Sequence, residues 1–138
     1  MATKPEDFLH TAKNLINSEN KTEADERSAI SRSYYAMYHK VLSILDNEPW
    51  TYGGKGCHAS LITYLEKDAA NEESIDHRQL KRLSYQLKQS RDNRVIADYE
   101  LQKIISPQLV NLSIATAEKC ILLADELTAT NDSNTSAG

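Results

Sequence analysis

Apolar residues recur at three- and four-residue spacing along most of the chain, the period of a helix with one buried face. The first such stretch is predicted to open near Pro5, a residue suited to a helix's first turn, and to run through Phe8, Ala12, Leu15 and Ile16 to about Ser18. After a polar break, Thr22 is positioned to cap a second helix whose first turn holds Glu23, Asp25 and Glu26. Its stripe of Ile30, Tyr34, Met37, Val41, Ile44 and Leu45 predicts a rod of about 25 residues and roughly 37 Å, the scaffold's central element. Residues 47–56 contain three of the four glycines, a proline and the only tryptophan, and are read as the one substantial internal loop. A third helix is predicted over 58–68, with Leu61, Ile62 and Leu65 inward, followed by a turn over 69–74. Ser74 or Asp76 would cap the fourth, and Pro107 opens the fifth. In the fifth, Leu109, Leu112, Thr116, Cys120, Leu123 and Leu127 run beside Val110, Ile114, Ala117, Ile121 and Ala124, a stripe wide enough for neighbours on two sides. The polar, small residues of 130–138 predict a disordered tail.

One helix breaks its own pattern. Leu80, Leu83 and Leu87 lead, at the same spacing, onto Arg91, Arg94 and Asp98, so a core-facing row turns ionic. An unpaired ion taken out of water costs several kcal/mol (order of magnitude), so charge on such a face is either paired or put to use.

Composition narrows the class. At 138 residues with 40% hydrophobic and 26% charged residues, the chain fits one domain able to bury a core without disulfides or a structural metal. The domain is expected over 1–129. Few glycines and prolines argue against a many-turned β fold, leaving an all-α, five-helix antiparallel up-and-down bundle. A net charge of −4 argues against a surface that binds nucleic acid everywhere but not against a local basic cleft. Cys57 and Cys120 lie far apart with no CxxC spacing, and His10, His39 and His77 show no ligand spacing, so neither a metal site nor a cofactor is expected. No signal peptide or membrane-length apolar run is found in the sequence, and a cytoplasmic protein with no membrane association is the expectation.

Two segments together resemble a known family. They are Arg27-Ser-Ala-Ile-Ser-Arg-Ser-Tyr-Tyr-Ala-Met-Tyr-His39 on the second helix and Arg94-x-x-Ala97-Asp98-Tyr99 at the end of the fourth. In order and separation, over about residues 6 to 128, they are similar to HEPN domains, in particular small stand-alone bacterial HEPN proteins with an SRxYYAxxH helix, a mid-chain histidine and an RxxADY ending. The resemblance implies a helical bundle that forms a homodimer, with the motif of each subunit facing a shared cleft. It also implies one of several roles: metal-independent ribonuclease, toxin of a toxin–antitoxin or phage-defence system working with a nucleotidyltransferase or antitoxin, or non-catalytic partner. Nuclease members carry a histidine four to six residues after an arginine. Here Asp98 stands four residues after Arg94, and after Arg91 with six residues between them.

The candidate chemistry follows from these residue types. Guanidinium forks grip phosphate and stabilise added transition-state charge, so Arg91 and Arg94 are candidate RNA- or nucleotide-binding and catalytic groups. Asp98 is the candidate base for metal-free attack of an RNA 2′-hydroxyl, although a carboxylate held charged by arginines accepts a proton less readily than histidine. His58, beside Lys55 at the start of the third helix, is the candidate that would supply the missing acid or base. Tyr99 would stack on a base, present its hydroxyl to a phosphate or cover the end of the core, and Arg32 and Tyr35 would line the cleft or a subunit interface. Tyr34, on the apolar stripe, is assigned to the core. The rival for Arg91, Arg94 and Asp98 is an ion network that only locks the helix end, and it requires both arginines to be fully paired and to face no cavity. The segment supports binding more strongly than catalysis.

Overall fold

A computed structural model describes the backbone of residues 2–137 and the side chains of residues 2–129. Six helices follow in order: α1 (Pro5–Asn17), α2 (Glu23–Ile44), α3 (Cys57–Glu66), α4 (Ala69–Glu72), α5 (His77–Tyr99) and α6 (Pro107–Ala137). Among the described residues there is no strand. The helical pattern is therefore met, with one addition to the five expected elements. The turn predicted at 69–74 contains the single helical turn α4, because Ala69 is fully buried and pulls the chain inward before the buried Glu73 ends the turn.

Local chemistry sets the ends. Thr22 Oγ1 accepts from Asp25 N at 3.3 Å while Asp25 Oδ2 accepts from Thr22 N at 2.9 Å, a reciprocal cap that satisfies two donors at the start of α2. The loop between α2 and α3 is tied to the core by Glu73. Its carboxylate accepts from the Asp46 and Asn47 backbone N–H groups at 2.6 and 3.2 Å and from the Tyr64 hydroxyl at 2.6 Å.

Helix α2 is the hub, packed against α1, α5 and α6, while α3 docks on α5. Its stripe residues Ile30, Tyr34, Met37 and Val41 are fully buried against Leu80, Leu83 and Leu87 of α5 and Ala117 and Cys120 of α6. Lys40 links three helices, with Glu6 of α1 at 3.3 Å and Asp125 of α6 at 2.7 Å. One expectation for the last helix is corrected: Leu112 is exposed. Helices α5 and α6 separate there, opening a cleft of about 310 Å³ lined by Ser90, Asn93, Leu109 and Leu112 instead of closing over that leucine. The backbone of α6 stays helical through Ala137, past the point where an irregular tail is predicted. Extending a helix nucleated by a packed face costs far less than starting one. Side chains of the predicted tail, 130–138, lie outside those described.

The end of α5 is organised by a residue the sequence reading left without a role. Arg27, whose side chain is 11% exposed, donates from Nη1 to the carbonyls of Ile96, Ala97 and Glu100 at 3.3, 3.0 and 3.4 Å. Its Nη2 donates to the carbonyls of Leu101 and Lys103 and to Glu23 Oε1. A single cation from α2 thus gathers the carbonyls of a helix C-terminus, where positive charge is favoured, adding to the backbone N–H groups of Glu100 and Lys103 that reach the Ile96 and Glu100 carbonyls. Asp98 and Tyr99 sit on the turn that it holds.

Candidate functional site

The ionic continuation of the α5 stripe meets α2 and the start of α3. Arg94 takes the core position after Leu87 and is itself buried, at 8% exposure. Its guanidinium carbon lies 5.3 Å from the Tyr34 ring centroid and 5.7 Å from that of Tyr35, within cation–π range. Its Nη1 lies 3.3 Å from Asp98 Oδ2, and the same oxygen accepts from Ser31 Oγ at 3.3 Å. Asp98 is thus engaged from both sides, as an anchor for Arg94.

Tyr34 connects the arginine to the histidine. It is fully buried, as its place on the stripe predicts, and its Oη lies 2.8 Å from His58 Nδ1. His58 occupies the first turn of α3, behind the Gly56 cap, and its ring centroid is 4.4 Å from that of Tyr38. The phenols here hold their protons. Burial pushes Tyr34 well above its ordinary value, against the opposing pull of Arg94 and Arg91. Burial and a hydrogen bond with Cys57 push Tyr38 up to about 12. His58 moves the other way: burial first, then the charges of Arg94, Arg91 and His39, hold its imidazole below 6.5. It is neutral at pH 7, the form that accepts a proton.

Arg91 is half-buried and lines a cleft of about 170 Å³ between α3 and α5, with Lys55, Thr63, Glu66, Lys88 and Asp92. Among the described residues no hydrogen bond or ion pair reaches Arg91, and the Nε atoms of both Arg91 and Arg94 are buried without a partner. Of the two guanidinium groups only Arg94 touches Asp98, and Arg91, whose cleft also holds Glu66 and Asp92, bonds to no carboxylate among the described residues. Arg94 is paired as a purely structural network requires, and Arg91, unpaired and lining a cleft, is not.

The remaining candidates sort by placement. Tyr35 is half-buried beside Arg94 and packs on Phe8 and His39. Arg32 is exposed, with no hydrogen bond or ion pair among the described residues. Tyr99 is 71% exposed, next to the exposed Leu101 and Ile104, and makes no bond to the Arg94 group. Sequence reasoning overlooked Ser31, Tyr38 and the hydroxyl of Tyr34. A second stripe of spacing four, three, four, made of Arg27, Ser31, Tyr34 and Tyr38, was the available signal, since it lines the α2 face that meets α5 and α3. Among the described residues no three His, Cys, Asp or Glu side chains converge as metal ligands would, and no helix is long and apolar enough to cross a membrane. Comparison of the chain with known protein families, with curated proteins and with solved structures finds no match.

Proposed function

We propose that this chain is a HEPN-type bundle that binds RNA by seating a backbone phosphate on Arg91 and Arg94, against the Tyr34–His58 pair. The observation that carries the reading is an unpartnered guanidinium: Arg94 is paired with Asp98, while Arg91, half-buried in a cleft where Lys55 and Lys88 already match the charge of Glu66 and Asp92, has no side-chain hydrogen bond or ion pair among the described residues. A phosphate supplies the missing negative charge and suits the fork geometry. The negative net charge of the chain makes this contact focal, with binding that weakens as salt rises.

The same arrangement has the parts for metal-free strand cleavage. The 2′-oxygen would attack phosphorus, His58 would take its proton at Nε2, in the tautomer whose Nδ1–H donates to Tyr34 Oη, and the 5′-oxygen would leave with a proton drawn from solvent, while the arginines hold the added negative charge. Asp98, tied to Arg94 and Ser31, serves as a positioning residue in this scheme. Function in a homodimer, as a toxin or phage-defence effector, belongs to the same reading.

Fluorescence anisotropy with a labelled single-stranded RNA oligonucleotide at low salt tests it. Arg91→Gln, a change at a half-buried residue without bonds, is expected to weaken binding about tenfold, or ~1.4 kcal/mol, with the melting temperature unchanged. Equal affinity would remove the site. The engagement of Asp98 by Arg94 also favours a second form of the reading, a binder without turnover that docks on a partner such as a nucleotidyltransferase. RNA left intact by concentrated protein that still binds it would select that form.

A further inference from the structure

We infer that the cleft between α3 and α5 is a second phosphate subsite, so that the ligand of the Arg94 site is an RNA strand held at two neighbouring phosphodiesters, not a mononucleotide. This rests on the RNA reading above and extends it along the molecule.

Three cations reach this cleft from two elements. Lys55 is presented by the turn closed by its own N–H on the Tyr52 carbonyl at 3.0 Å. Gly54 makes that turn possible with φ of 78°, a conformation that residues with a side chain rarely adopt. Lys55 Nζ then leans across the start of α3 to donate to Thr63 Oγ1 at 2.8 Å, which fixes it over the cleft. Lys88 and Arg91, three residues apart, project from the same face of α5. None of the three cations pairs with a carboxylate among the described residues. Of the two carboxylates present, Glu66 is partly occupied by the Ser84 hydroxyl at 3.1 Å.

Charge and size select the ligand. Lys55, Lys88 and Arg91 set against Glu66 and Asp92 leave one excess positive charge. That suits the single charge of an internal phosphodiester better than the double charge of a terminal phosphate, which the two carboxylates would repel. A volume of about 170 Å³ holds a phosphate and part of its sugar but not a whole nucleotide. Arg91 belongs to both places: it lines this cleft and its charge is felt by Tyr34 and His58. A strand bound at Arg94 thus meets the second subsite without leaving the surface of α5.

Calorimetric titration of the full chain with adenylyl-adenosine, which has one phosphodiester, and with the adenosine trinucleoside diphosphate, which has two, separates the possibilities. The longer ligand is expected to bind at least about tenfold tighter at low salt and to show a salt slope steeper by about 0.7. Replacing both exposed lysines, Lys55→Gln with Lys88→Gln, should bring the longer ligand down to the affinity of the shorter and leave the shorter unaffected. Equal affinities in the unmodified protein, or a double variant that keeps the full difference, would overturn the subsite, and the Arg94 site would stand if adenylyl-adenosine still bound in an Arg91-dependent way. Failure of both ligands to bind would overturn the subsite and the RNA reading together.

Discussion

Arg27→Ala is expected to lower the free energy of unfolding by about 4 kcal/mol, the largest effect of any single change to a polar residue. The guanidinium accepts no substitute nearby. It serves the carbonyls of Ile96, Ala97, Glu100, Leu101 and Lys103 from a side chain that is almost wholly covered. Alanine removes all of these donors at once: the Ile96 and Glu100 carbonyls keep the backbone N–H groups of Glu100 and Lys103, while the part-buried Ala97 carbonyl loses its side-chain donor. The loss also reaches the site, because Asp98 sits on the turn that Arg27 holds and Asp98 in turn anchors Arg94. Lysine restores the charge but not the fork, so Arg27→Lys should fall between the two. Urea unfolding followed by circular dichroism measures this, and a loss below about 1 kcal/mol would mean that water replaces the arginine without penalty.

The second large effect is on binding. Arg94→Lys is expected to weaken RNA affinity by at least about thirtyfold, or ~2 kcal/mol, more than Arg91→Gln does. Arg94 holds its guanidinium plane between the Tyr34 and Tyr35 rings and the Asp98 carboxylate. That clamp fixes the guanidinium before any ligand arrives, so little ordering cost falls on binding. A lysine at the same place keeps a positive charge near Asp98 but loses the planar two-pronged contact and the flat surface against the rings. The melting temperature of the variant, recorded alongside, separates a lost grip from a lost fold. Affinity within threefold of the parent would show that charge alone, and not the clamp, holds the ligand.

Much of this was legible in the chain. The three- and four-residue periodicity gave the major helices, and the run from Leu87 into Arg91, Arg94 and Asp98 marked the place where a buried row becomes ionic. Periodicity is a property of one helix, however, and says nothing of what faces it. That Arg94 rests on Tyr34, and that Tyr34 reaches His58, depends on how α2, α3 and α5 are docked. The same limit explains Arg27. Its partners are backbone carbonyls about 70 positions away, and carbonyls carry no residue-type signal for a sequence pattern to register. Tyr99 and Arg32 failed to join the site for a related reason. Each is next to a site residue in sequence or helical turn, but roughly 100° of rotation per residue aims it elsewhere.

The central claim is that a phosphate sits between the arginines and His58. An NMR titration of the four histidine rings, with and without adenylyl-adenosine, tests it most directly. In the free protein the His58 ring should titrate below 6.5, kept neutral by burial and by the nearby arginines. A bound phosphate would offset the arginines' charge and favour the imidazolium, so the His58 midpoint should move upward, while the resonances of the exposed His10 and His77 do not respond to the ligand. A His58 midpoint that stays in place when adenylyl-adenosine binds would contradict the account.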